Sequence, residues 1–140
     1  MDRELLLTAI AYADINGCSY VLLYDRAHSN LLLGCILRIV YPTFAEGSEM
    51  PSYYVAGYLV VVQGFDTLRK VEEVLRVEDV VYVVKDRGIL SIIVEDLQAL
   101  YDVFRAVGDS AALELRLTRY FCANDLGEVA RRAVLEVLEE

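Results

Sequence analysis

The chain of 140 residues has no tryptophan, two prolines and one histidine. Its three cysteines, Cys18, Cys35 and Cys122, contain no C-x-x-C pair, so zinc ligation and thioredoxin-type chemistry lack their usual spacing. With His28 the single histidine, any Ser-His-Asp or Cys-His arrangement would have to use that residue. Neither G-x-x-x-x-G-K-[ST] nor G-x-G-x-x-G occurs, which removes the motif basis for phosphate cradling. Apolar runs such as Val55 to Val62 fall well short of the roughly 18–20 residues that a membrane helix needs. Met1-Asp2-Arg3-Glu4 is not the basic start of an export signal. The expectation is a cytoplasmic protein with no membrane partner, no cofactor and no metal.

What the chain does contain is apolar and acidic. Hydrophobic residues make up 56%, above the usual 45–50%, so several strands should be fully buried or an apolar face reserved for a partner. The formal net charge is −9, which argues against nucleic acid, because binding that polyanion normally takes a basic face. Lys70 and Lys85 are the only lysines, and Asn and Gln are scarce, a composition that points to a thermophile or a GC-rich genome. Cysteines this far apart in such a chain read as buried free thiols.

Along the chain, Asp2 caps a helix to about residue 15, and Asn16-Gly17 stops it. Residues 18–24 and 31–41 read as a β-hairpin around the polar turn Asp25 to Asn30. Residues 42–52 form one long loop bracketed by both prolines, and long loops inside compact domains tend to be functional. A strand over 53–63, a helix over 66–77 capped by Asp66, and a hairpin over 79–94 turning at Asp86-Arg87-Gly88 follow. A helix from Glu95 or Asp96 to Gly108, an alternating strand over 111–119 at a sheet edge, and a helix from Asn124 or Asp125 to Leu138 complete the pattern.

The chain therefore reads as one α+β domain. Residues 53–119 give a β-α-β-β-α-β core of ferredoxin-like order, extended by an N-terminal helix and hairpin (1–52) and a C-terminal helix (120–140). Right-handed crossovers put both core helices on one sheet face. The N-terminal helix and hairpin, or a second subunit, should then cover the other.

The strand-turn-helix run Val60-Val61-Val62-Gln63-Gly64-Phe65-Asp66 and the hairpin-to-helix run from Val80 to Asp96 carry a resemblance. In pattern, residues 53–119 resemble the ligand-binding and dimerisation domain of Lrp/AsnC-type regulators and the related ACT domains. That resemblance implies a dimerising sheet edge and a small ligand near the first strand-helix turn. It does not extend to DNA reading, because residues 1–52 contain no helix-turn-helix.

Three functions follow as expectations. The first is a non-catalytic assembly or accessory-subunit domain acting through a tyrosine-rich apolar sheet face, with Tyr20, Tyr24, Tyr41, Tyr54 and Tyr58 at the interface and self-association or a protein partner opposite. The second is a small-molecule sensor using Gln63, Gly64 and Asp66, where helix N–H groups could hold an anion. The third is a small enzyme using His28 or the 42–52 loop. An RNA-recognition role is disfavoured, because Ile89 to Val94 has no aromatic residue on which a base could stack. Arg105, Arg116, Arg119, Arg131 and Arg132 would matter only if they converged.

Overall fold

A computed structural model describes residues 2–28, 30–42, 51–108 and 115–139. Its elements run α1 (Arg3–Asn16), β1 (Tyr20–His28), β2 (Leu31–Val40), β3 (Ser52–Gln63), α2 (Phe65–Val74), β4 (Val80–Asp86), β5 (Ile89–Val94), α3 (Leu97–Val107), β6 (Arg119–Ala123) and α4 (Leu126–Leu138). The local signals act as expected at several boundaries. Asp2, Asp96 and Asp125 each accept a backbone N–H of the first turn of their helix. Gly17 ends α1 in the left-handed conformation that only glycine adopts cheaply.

One antiparallel sheet of order β4-β5-β3-β2-β1-β6 forms the frame. β3 and β4 are parallel with β5 between them, as a split βαβ unit requires. The second crossover departs from the expected ferredoxin-like order. Strands β3, β2 and β1 all lie between β5 and β6, where that fold would place one strand. The N-terminal hairpin is therefore inserted into the sheet and does not cover it. It fits because Leu31 to Val40 pairs with β3 along its length and Tyr20 to Tyr24 pairs with β6. Inserting two antiparallel strands also preserves the direction in which β6 must run.

Boundaries also differ: α2 ends at Val74, not at residue 77, where a 3-10 turn (Val77–Asp79) begins. The final strand is residues 119–123, not 111–119; residues 111–114 lie outside the described set, and Leu117 is buried without being in a strand. The β1–β2 hairpin is tighter than expected, with only residues 29 and 30 between the strands.

Each sheet face has a cover, and side-chain alternation decides which. Leu31, Leu33, Val60, Val62, Ile92 and Val94 meet Val71 of α2 and Leu100, Val103 and Phe104 of α3. On the same face, toward β1 and β6, Val21, Leu23 and Leu37 meet Ala9, Ile10 and Ala13 of α1. The opposite face, with Leu22, Ile36, Leu59, Val61, Ile93 and Phe121, is covered by Val129, Ala130, Ala133, Val134 and Val137 of α4. The sheet curls around α4, since both edge strands, β4 and β6, reach it. The cover of the second face is thus the C-terminal helix, not the N-terminal extension.

The cysteines correct a further expectation. Cys18 and Cys122 form a disulfide that ties the start of β1 to β6. Only Cys35 is a free buried thiol, and burial pushes its pKa up to about 11.

Candidate functional site

The five tyrosines singled out in the sequence do not share one surface. Tyr24 is buried, and its hydroxyl donates to Glu136 of α4 at 2.6 Å. Tyr20 lies under the Arg38 guanidinium and accepts a hydrogen bond from it. The Tyr41 hydroxyl lies 3.0 Å from the Ala13 carbonyl and 2.6 Å from that of Cys18, which holds the end of β2 against α1. Tyr58 is half-buried between two core clusters, and burial raises its pKa. Of the five, Tyr54 is the most open to solvent, at 56% exposure.

Tyr54 belongs to a patch that strand lengths create. β5 ends at Val94, opposite Tyr58, whereas β3 begins at Ser52. Residues 52–57 therefore project as a two-stranded ribbon with β2, and no strand pairs with them on the β5 side among the described residues. Tyr53, Tyr54, Val55 and Val40 are all exposed there. No charged residue occurs from Pro51 to Phe65.

A second apolar stretch lies on the sheet edge. Val81 and Val83 of β4 are about half exposed, and Val77, in the short 3-10 turn before the strand, is 88% exposed. Tyr82 folds over α4, so close to Gly127 that a Cβ there would meet its hydroxyl at 2.7 Å. Among the described residues no strand pairs with the outer side of β4. In the sequence this run reads simply as a strand; that it forms an edge depends on strand order, which no local signal carries.

The strand-helix turn at Gln63, Gly64 and Asp66 is differently built than expected. Gly64, with φ of 98°, is the N-cap of α2, and no side chain caps it among the described residues. Asp66 sits inside the first turn, where it favours the positive end of the helix dipole but leaves the cap open. The Gln63 N–H donates to the Asn30 carbonyl, locking the turn to the β1–β2 hairpin.

A concavity lies elsewhere, at the other end of α2. A cleft of about 710 Å³ opens between Val74, Arg76 and Asp79 on one side and Gln98, Asp102 and Arg105 of α3 on the other. Asp102 accepts from Gln98 within it at 3.0 Å. Among the described residues no group of three or more His, Cys, Asp or Glu side chains is placed to hold a metal ion. The His28 side chain and loop residues 43–50 lie outside the described set, so the residues named for catalysis have no geometry here. The arginines do not converge. Arg105 is on α3, across the sheet from Arg131 and Arg132 of α4, and Arg132 is taken up by the Phe121 ring and the Cys122 carbonyl.

Fold and surface together define an α+β domain with exposed apolar residues on β3 and β4 as well as on its helices. No helix among the described residues is long and apolar enough to cross a membrane. No protein-family model, curated protein or solved structure matches the chain.

Proposed function

We propose that the chain is a non-catalytic assembly domain that docks through exposed strands. One observation carries the reading: large apolar side chains lie exposed on strand segments whose outer backbone has no partner strand among the described residues, at Tyr53 to Val55 and at Val81 to Val83. Unpaired strand backbone is a template for another chain, and globular proteins normally blunt it with charge or proline. Neither stretch carries a charge or a proline. Isolated from its source under native conditions, the protein should elute in an assembly heavier than one chain. Tyr54→Asp with Val55→Asp, or Val81→Asp with Val83→Asp, should shrink that assembly. A lone chain throughout would overturn the reading.

A second reading, a small-molecule sensor, is supported by the open cap at Gly64 and by the cleft between α2 and α3. The open cap is at the turn to which the Lrp/AsnC resemblance assigns a ligand; the cleft is at the other end of α2. Thermal-shift screening across amino acids and nucleotides should raise the melting temperature with at least one class. A flat response to all would remove it.

A further inference from the structure

We infer that Arg38, with the tyrosines on either side of it, anchors a protein partner that presents a carboxylate ringed by apolar side chains. The inference rests on the assembly reading and names the chemistry of the partner. Tyr20 of β1, Arg38 of β2 and Tyr54 of β3 lie opposite one another across the sheet, so their side chains share one face. It is the α4 face, because Tyr20 packs against the cluster that α4 completes. The helix leaves this end of the sheet open: Tyr54, and Val40 beside Arg38 on the same face, are exposed at 56% and 42%. A bulge is what puts Tyr54 there. Ile36 pairs with Gly57 and Leu37 with Val55, which leaves Ala56 as an extra residue on β3. Without it Tyr54 would share the face of Tyr58, which packs against the clusters of α1, α2 and α3. Bulges re-aim side chains and are over-represented beside functional sites.

The charge at the centre of this rung is held in place and unanswered. The Arg38 guanidinium stacks over the Tyr20 ring, 4.8 Å from its centroid, and donates to the Tyr20 hydroxyl. Those two contacts orient its plane and leave its other N–H groups without a partner among the described residues. No described carboxylate forms an ion pair with it, although acids outnumber bases 22 to 13 in the chain. A stacked, oriented guanidinium suits a carboxylate, which it can meet with two parallel hydrogen bonds. Arginine and tyrosine are also the residues enriched at the energetic centres of protein interfaces. Among anions, a nucleic acid or an anionic membrane would bring many like charges against a chain of net charge −9. A carboxylate on a protein brings one, and the exposed Tyr54 and Val40 supply apolar surface for the residues around it.

The test is selection of random peptides, displayed on phage, against the full recombinant chain. Selected peptides should be enriched in Asp or Glu flanked by apolar residues, against the repulsion that the chain's net charge sets up. Replacing that acid by its amide in a selected peptide should weaken binding by roughly tenfold or more. Selection on Arg38→Gln should lose the acid and keep the apolar residues, with the melting curve of the variant checking its fold. The amide comparison on wild type decides the matter alone if the variant does not fold. Arg38→Lys, which keeps the charge without the fork, should recover only part of the preference. Tyr54→Ala should weaken every selected peptide. A selection that yields no peptide, no acid enrichment, or an acid preference that survives Arg38→Gln would overturn the inference. So would a dimer of the chain alone that Arg38→Gln dissolves, since a second copy would then hold the site. A heavier native assembly beside a failed selection would leave the assembly reading standing, whereas a lone native chain would remove both.

Discussion

Ser91 lies at the middle of β5, fully buried, with no hydrogen-bond partner for its hydroxyl among the described residues. Desolvating an unpaired hydroxyl is costly, so Ser91→Ala should leave stability unchanged or raise it by up to about 1 kcal/mol, measured by chemical denaturation. Tyr24 behaves in the opposite way. Burial, then the Glu136 hydrogen bond and charge, raise its pKa above the ordinary value of 10.0. The folded state therefore holds the phenol proton more tightly than the unfolded state. That preference is fully present below pH 10 and is lost as pH rises toward the folded-state pKa, so stability falls on the alkaline side. Tyr24→Phe should flatten that alkaline fall while costing about 1 kcal/mol at neutral pH. Cys35, with a pKa raised to about 11, should not react with a thiol reagent at pH 8 until the chain unfolds. Unfolding without reductant should expose one thiol per chain, because Cys18 and Cys122 are bridged.

At the scale of elements, legibility followed the range of the interaction. Helix starts at Asp2, Asp96 and Asp125 were readable because a cap bond spans two or three residues. Gly64 displaced Asp66 as the cap of α2 because the turn there runs through a positive φ that glycine supplies. The alternation of Leu113, Leu115 and Leu117 pointed to a strand, but the strand follows it at Arg119. Leu115 and Leu117 are nonetheless core residues, so the apolar signal was sound and its period misleading. The order of strands had no local signature at all. It depends on β2 finding β3 across the long loop, while one tight position shows how closely β2 meets its other neighbour, β1. A Cβ on Gly34 would stand 2.8 Å from the Leu23 carbonyl oxygen. Gly34→Ala should therefore cost about 1–3 kcal/mol in thermal or chemical unfolding, since backbone cannot step aside as a side chain can.

For the whole molecule, the candidate surfaces were less legible than the core. The tyrosine cluster was visible in the sequence, but most of its members turned out to be structural. Tyr24, Tyr41 and Tyr20 are each held by a partner within the fold. The exposed valines of β4 were visible only as a strand, and their exposure follows from the position of that strand in the sheet. The disulfide was unreadable because 104 residues separate its cysteines. Cross-linking so long a loop reduces the entropy of the unfolded chain by an amount worth roughly 4–5 kcal/mol. Cys18→Ser with Cys122→Ser, or full reduction, should lower the melting temperature by about 10 °C or more, read by calorimetry.

That bond also has a topological consequence. Residues 18 to 122 form a covalent ring that contains all six strands but the last residue of β6, while α1 and α4 leave it as two tails from one knot. A single backbone cut anywhere within the ring opens it without releasing a piece. A protease-nicked molecule would keep its mass until reductant was added, and its two halves would remain tethered where the sheet's first and last strands meet.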